Sequence, residues 1–252
     1  LYRAGGDYTN AAVQYEAAAK LDPYGYVNHL NLGVSYQLLN RFQEAAASYL
    51  KALRLNPGDV ESNMNLGLVY LALGQVDDAV HYLEIATTLD PHNAIALANL
   101  GVALDAQGSH ARAESAYRKS LDLKADQSTT ILNLGTNLLS QQKPTEAIAV
   151  LRTVVKKSDS ASVRKRFGDA FAQAGRYEEA IQEYMACLKL DSRYYPAMND
   201  MGRVLVARYY ASSEMDEEMR RLAVRYWRAS LQINPSQPRV VTLIKEWDRT
   251  RL

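Results

Sequence analysis

Asn31-Leu32-Gly33 recurs as Asn65-Leu66-Gly67, Asn99-Leu100-Gly101 and Asn133-Leu134-Gly135, each copy 34 residues after the one before it. Gly168 and Gly202 continue the series at steps of 33 and 34 residues. A fixed period of this length is typical of one supersecondary unit that is copied and stacked. The sequence therefore predicts a repeat array in which each unit contacts only its neighbours.

Each repeat is predicted to be a pair of helices. In the first helix, apolar residues lie directly before the glycine and three residues after it, which is the spacing of one helix face. Twelve residues after the glycine comes a small residue, and a large one follows four positions later. Small side chains at one position allow two helices to approach closely. These pairs are Ala45 and Tyr49, Ala79 and Leu83, Ala113 and Tyr117, Ala147 and Leu151, and Ala180 and Tyr184.

The residues between the predicted helices are those that end a helix. Gly74, Gly108 and Gly175 share one position with Asn40 and Gln142, and this position is typical of the left-handed residue after a helix. Proline follows the second helix in Asn56-Pro57, Asp90-Pro91 and Asn234-Pro235, where it stops one helix and favours the start of the next. Each unit is therefore expected to be an antiparallel helical hairpin.

The combined pattern of Leu-Gly, an aromatic or Leu three residues later, the small and large pair, and a closing Pro resembles the tetratricopeptide repeat (TPR). This resemblance implies an all-α, right-handed superhelical solenoid of antiparallel hairpins. Two departures are that other residues replace the leading Trp of the motif, and that the third, fourth and fifth units lack the closing Pro. The predicted units are a partial repeat (second helix) at 1–25, full repeats at 26–59, 60–93, 94–127, 128–160, 161–194 and 195–237, and a C-terminal capping helix at 238–252.

The sixth full unit contains about nine extra residues between Tyr210 and Glu218. Because no Gly or Pro lies there, we expect an elongated hairpin, with a flexible loop as the alternative. Ser212 or Ser213 would cap its second helix, whose first turn would carry Glu214 and the acidic residues at 216–218. The capping helix would cover the last hairpin with the apolar residues Val240, Val241, Ile244 and Trp247.

Composition argues against several classes of function. The 29 Lys and Arg residues balance 28 Asp and Glu, and a net charge of +1 does not suit nucleic acid binding. The four histidines lie apart, the single cysteine Cys187 occupies a small-residue position of the core, and no catalytic motif is present. We therefore expect no enzyme activity, no metal and no cofactor. No apolar run is long enough for a membrane span, so we expect a soluble chain, with the cytoplasm favoured and the periplasm left open.

The asparagines are the feature that packing does not require, since Asn is a mediocre helix former. The resemblance implies that Asn31, Asn65, Asn99 and Asn133 face the concave groove, where an amide can bond to the backbone of an extended peptide. In this respect the series resembles the asparagine ladder of the O-linked N-acetylglucosamine transferase superhelix. The alternative is that each Asn bonds to a neighbouring helix or completes a polar face.

The same resemblance places further residues in the groove. The early units supply an apolar lining, formed by Leu30, Val34, Met64, Leu68, Ile95 and Val102. The late units supply a charged end, formed by Arg164, Lys165, Arg166, Asp169, Asn199, Asp200 and Arg203. These cations could receive a carboxylate of a partner, or the neighbouring Asp residues could neutralise them.

The sequence thus predicts a non-catalytic protein-interaction scaffold that binds a peptide or extended protein segment of unknown identity. One alternative is the substrate-recruiting region of a larger enzyme, such as a glycosyltransferase. Another is self-assembly through the first half-hairpin or the long sixth hairpin. Fold resemblance alone does not name the partner.

Overall fold

The computed structural model describes residues 7–211 and 216–248. Within these ranges the chain forms fourteen α-helices and no β-strand. The helices are α1 (Tyr8–Leu21), α2 (Tyr26–Leu38), α3 (Phe42–Leu55), α4 (Val60–Ala72), α5 (Val76–Leu89), α6 (Ala94–Ala106), α7 (His110–Leu123), α8 (Ser128–Ser140), α9 (Pro144–Val155), α10 (Ala161–Gln173), α11 (Tyr177–Leu190), α12 (Tyr195–Ala211), α13 (Glu217–Ile233) and α14 (Pro238–Trp247).

The chain divides into two compact units, one ending at Thr130 and the other beginning at Ile131. In the first unit α2 packs on α3, α4 on α5 and α6 on α7. In the second unit α10 packs on α11 and α12 on α13. The predicted all-α solenoid of repeated helical hairpins is confirmed.

The repeated glycine is required by close contact inside each hairpin. A Cβ built on Gly33 would lie 2.6 Å from Cε1 of Tyr49, and one on Gly67 would lie 2.6 Å from Cγ of Leu83. The large residue 16 positions after the glycine thus occupies the space of the missing side chain. The same contact joins Gly101 to Tyr117, Gly135 to Leu151 and Gly168 to Tyr184.

The turns inside the hairpins have the predicted left-handed residues. Gly74, Gly108 and Gly175 have φ of +74°, +83° and +72°. Asn40 and Gln142 adopt φ of 58° and 60° without being glycine. The turns between hairpins also follow the sequence pattern, because Asn56, Asp90 and Asn234 are the C-caps of α3, α5 and α13.

The sixth hairpin is built from longer helices. Helices α12 and α13 have 17 residues each, whereas α2 to α11 have 12 to 14. Gly202 contacts the indole of Trp227, 25 residues later, so nine additional residues separate the two helix positions. Asp216 caps α13 by accepting a hydrogen bond from the backbone N–H of Glu218 at 2.9 Å. The cap is therefore Asp216, and the alternatives Ser212 and Ser213, with Glu214, lie outside the described residues.

Helix α14 packs on α13 and buries Val240. The ring of Trp247 stands edge-on to Tyr209 and Tyr210, with centroid distances of 5.8 and 5.3 Å. The predicted helix over 238–252 is shorter in the structure, because α14 ends at Trp247 with Asp248 as its C-cap. Residues 249–252 lie outside the described part of the chain.

The single cysteine lies in the hydrophobic core. Cys187 is fully buried, and burial, followed by the charge of Asp191, raises the pKa of its thiol to about 11. No three His, Cys, Asp or Glu side chains of residues 7–211 and 216–248 are grouped so that they could hold a metal ion. In the same ranges no helix has the length and apolar character of a membrane span.

Candidate functional site

The repeated asparagines lie at equivalent positions of successive first helices. Asn31 is on α2, Asn65 on α4 and Asn99 on α6 in the first unit, and Asn133 is on α8 in the second. Besides packing within their hairpins, α2 contacts α4, and α4 contacts α6. The first helices of this unit therefore form a shared surface, which we call the asparagine face.

The four asparagines differ in whether they make an interaction within the protein. Asn65, Asn99 and Asn133 are partly exposed, and their side chains have no hydrogen-bond partner within the described ranges. The partly exposed amides of these three agree with peptide contact and with a polar helix face, and not with a bond to a neighbouring helix. Asn31 is also partly exposed and makes an interaction within the protein.

The apolar residues predicted beside the asparagines fall into two groups. Ile95 is 56% exposed and Val102 is 36% exposed, while Met64 and Leu68 are partly buried. Together with Ala98 and Asn99, Ile95 and Val102 have the spacing of one face of α6. Accessible apolar surface next to Asn65 and Asn99 is therefore supplied by Met64, Leu68, Ile95 and Val102.

Leu30 and Val34 are 7% and 9% exposed and belong to the hydrophobic core that contains Tyr49 and Leu66. The prediction that Leu30 and Val34 line an open groove is therefore wrong. The reason is that α2 packs against α1, α3 and α4, so that most of its circumference is covered. Val27 and Leu38, at the two ends of α2, remain exposed.

In the second unit, the predicted charged end is largely paired within itself. Lys165 Nζ lies 2.9 Å from Asp169 Oδ2 and 2.8 Å from Asp200 Oδ2. Burial lowers the pKa of Lys165, but the two carboxylates outweigh this effect and the pKa is raised. Burial also raises the pKa of Asp169, which accepts a hydrogen bond from the hydroxyl of Tyr184 at 2.9 Å.

Arg164 is paired as well. Its guanidinium lies 2.6 Å from Asp159 and 2.9 Å from Glu183, and the hydrogen bonds that it donates to these two carboxylates raise the pKa of Arg164. For Arg164 and Lys165 the structure thus favours neutralisation over capture of a partner's carboxylate. The sequence did not predict Asp159 and Glu183 as partners of Arg164. For Glu183 the reason is that it lies on α11, so its contact with Arg164 depends on how α10 and α11 are aligned.

Arg166, Arg203 and Asn199 have different environments. Arg203 pairs with Asp200 at 3.2 Å. Asn199 donates to Gln237 Oε1 at 2.6 Å, and its backbone oxygen accepts from the indole of Trp227 at 3.1 Å. Arg166 occupies the asparagine position of α10, is exposed, and has no ion pair within residues 7–211 and 216–248. It is the member of the predicted charged end whose charge is available.

Solved structures with a similar fold show the same kind of repeat. A chain of the APC/C hetero-tetramer Cut9-Hcn1 matches with a TM-score of 0.72 and 19% identity over 96% of this chain, which spans 46% of that chain. A tetratricopeptide repeat protein from Parabacteroides merdae matches with a TM-score of 0.71 and 16% identity, covering 97% of this chain and 93% of that one. YrrB, described as a TPR protein with an unusual peptide-binding site, matches with a TM-score of 0.61 and 20% identity, covering 79% and 99%.

At these identities the structural likeness shows the fold. A comparison with curated proteins gives no match. Sequence models of the tetratricopeptide repeat match residues 29–59, 64–128 and 132–193, which together are more than half of the chain. The hairpins, their glycine contacts and these matches agree, and the chain belongs to the tetratricopeptide repeat family.

Proposed function

We propose that this chain is a non-catalytic scaffold that binds an extended segment of a partner protein on its asparagine face. The observation that carries the proposal is that the side-chain amides of Asn65 and Asn99 have no hydrogen-bond partner among residues 7–211 and 216–248. They lie at the same position of successive first helices, beside exposed Ile95 and Val102. A scaffold that binds other proteins is also what tetratricopeptide repeats typically form.

The amide group suits the backbone of an extended peptide. Each Asn side chain offers one acceptor and two donors, and each peptide unit offers one N–H and one C=O. An amide can therefore hold a segment in place without selecting its side chains. Asn133 offers the same chemistry in the second unit.

Apolar contacts and one charge would provide the selection. Ile95, Val102, Met64 and Leu68 favour an apolar side chain of the ligand, and the flexible Met64 adapts to its shape. In the second unit, Arg166 favours a carboxylate, because a guanidinium presents paired donors to it. We therefore expect the asparagine face of the first unit to bind apolar residues of a ligand, and Arg166 of the second unit to bind an acidic group.

Two resemblances support this function. The first is the similarity of the fold to YrrB, whose description includes a peptide-binding site. The second is the resemblance of the asparagine series to the repeats of O-linked N-acetylglucosamine transferase, which stays a prediction.

Self-assembly is a second candidate, favoured by the surface of α1. Tyr15 and Ala18 precede Tyr49 and Ala52 by 34 residues, and they are partly exposed whereas Tyr49 and Ala52 are fully buried. Tyr15 and Ala18 are thus more accessible than the equivalent residues of the next hairpin. Light scattering of the chain and of its Tyr15→Ser variant would test this candidate, and a monomer at high concentration would contradict it.

Selection of a random peptide library displayed on phage, followed by calorimetric titration of the best peptide, would test the proposed function. We expect the Asn65→Ala, Asn99→Ala double variant to bind the peptide at least ten times more weakly. Gln43→Ala with Gln182→Ala is the matched control, because both glutamines are exposed on second helices. Equal affinity of the double variant and the control would refute the role of the asparagine face.

A further inference from the structure

An apolar cleft lies between two hairpins of the first unit, away from the asparagines. It is a cleft of about 500 Å³ between the end of α5 and the helices α6 and α7. Its floor is apolar and consists of the buried residues Leu97, Leu100, Leu104 and Ala116. Its rim carries Arg112, Ser115 and Lys119 from α7 and Thr87 from α5.

The preceding pair of hairpins shows what the fold places in this position. Thirty-four residues before Leu104 and Ala116 stand Tyr70 and Tyr82, whose rings stack with centroids 5.6 Å apart. Both tyrosines pack against the hydrophobic core of that region. The cleft thus has Leu and Ala where its neighbour has two aromatic rings, and the missing volume is that of an aromatic side chain.

The rim of the cleft also differs in charge from the equivalent positions of the preceding hairpin. Arg112 stands where the preceding hairpin has Asp78, and Lys119 where it has Ile85. Arg112 pairs with Glu84. Lys119 is exposed and, within the described ranges, makes no ion pair. The rim therefore has a net positive charge beside an apolar floor.

We propose that this cleft is a second binding site, which takes an aromatic side chain of a partner protein flanked by acidic residues. The ring would occupy the place that Tyr82 fills in the preceding hairpin and would contact Leu104 and Ala116. A neighbouring carboxylate would lie at Lys119. An aromatic ring brings a large apolar area into such a site, and the charge at the rim orients the chain that carries it.

The probe is a fluorescein-labelled peptide with Glu-Glu-Phe-Glu-Glu between Gly-Ser spacers, compared with the same peptide carrying Ala for Phe. Fluorescence polarisation measures binding, and methyl NMR spectra report Leu97, Leu104 and Ala116. We expect the Phe peptide to bind, to shift these methyl signals, and to bind at least ten times more tightly than the Ala peptide.

Ala116→Tyr fills the cleft with the residue that the fold accepts at position 82, and we expect it to weaken binding at least tenfold. Ala111→Tyr adds the same side chain at an exposed position of α7 and should leave binding unchanged. Lys119→Glu should weaken binding of the acidic peptide. The Asn65→Ala, Asn99→Ala variant should bind normally, which separates this site from the asparagine face. Absence of binding, or binding that Ala116→Tyr leaves intact, would overturn the proposal.

Discussion

The ring of Tyr117 lies over the backbone of Gly101 so closely that a Cβ on Gly101 would be 2.5 Å from Tyr117 Cε1. The ring is held there from its other end, because its hydroxyl donates to Asp105 at 3.0 Å. Tyr184 donates in the same way to Asp169, and Tyr49 to Gln37. In these repeats the glycine thus packs against a Tyr ring that a hydrogen bond of its hydroxyl holds in place.

Gly101→Ala should lower the free energy of unfolding by about 1–3 kcal/mol, the range for overpacking a core. The methyl group cannot be accommodated unless the buried Tyr117 moves. Gly58→Ala is the control, because a Cβ there would meet no atom closer than 3.7 Å. Urea unfolding of both variants measures the difference, and equal stability of Gly101→Ala and the parent would contradict the packing.

Gly108→Ala should also destabilise the fold, but for a different reason from Gly101→Ala. A Cβ on Gly108 has no atom within 4 Å, but its φ of +83° is unfavourable for a residue with a side chain. The expected loss is about 1–2 kcal/mol, the cost of the left-handed conformation. Thermal unfolding compared with Gly58→Ala separates this effect from crowding, and a neutral Gly108→Ala would show that the turn can relax.

Lys165→Met should be the most destabilising change in the charged cluster. It leaves Asp169 and Asp200, both about one-fifth exposed, without their shared cation. We expect a loss of about 2–3 kcal/mol, somewhat below the value for fully buried pairs. The additional change Asp169→Asn should restore part of it. Arg203→Met, which removes an exposed partner of Asp200, should cost less than about 1 kcal/mol. Equal losses in both variants would contradict the central place of Lys165.

Cys187 should make the fold sensitive to alkali. Its pKa is raised from 9.0 to about 11 on folding, so the unfolded chain loses the thiol proton first. Stability from this group is therefore complete below pH 9 and is lost as the pH rises to 11, by about 2–3 kcal/mol. Alanine occupies the equivalent positions 52 and 86, so Cys187→Ala is a suitable variant. The free energy of unfolding should fall between pH 8 and pH 11 by about 2–3 kcal/mol less in this variant than in the parent. An identical pH dependence in both proteins would refute the thiol's contribution.

The sequence was sufficient for features determined within one hairpin. The left-handed residues at Asn40 and Gln142 and the caps at Asn56 and Asp90 depend on local backbone geometry, which a repeat displays several times. The pairing of Gly202 with Trp227 could be deduced because the closing Asn234-Pro235 fixes the alignment of α13 despite the additional residues.

Features that depend on several helices together could not be read from the sequence. Leu30 has the spacing of an open face, yet it is buried because three helices surround α2. The pairing of Arg164 with Glu183 requires the relative rotation of two helices. The cap at Asp216 was missed because several polar residues in that stretch are equally suited to capping a helix.

The proposed hydrogen bond between Asn99 and the backbone of a bound peptide can be measured by combining backbone methylation with mutation. A selected peptide is N-methylated at one bond at a time, and the affinity of each form is measured by calorimetry for the parent and for Asn99→Ala. We expect that at one position methylation weakens binding to the parent by about tenfold, which corresponds to the loss of one hydrogen bond, and has little effect on Asn99→Ala. Losses that are additive at every position would contradict backbone recognition by Asn99.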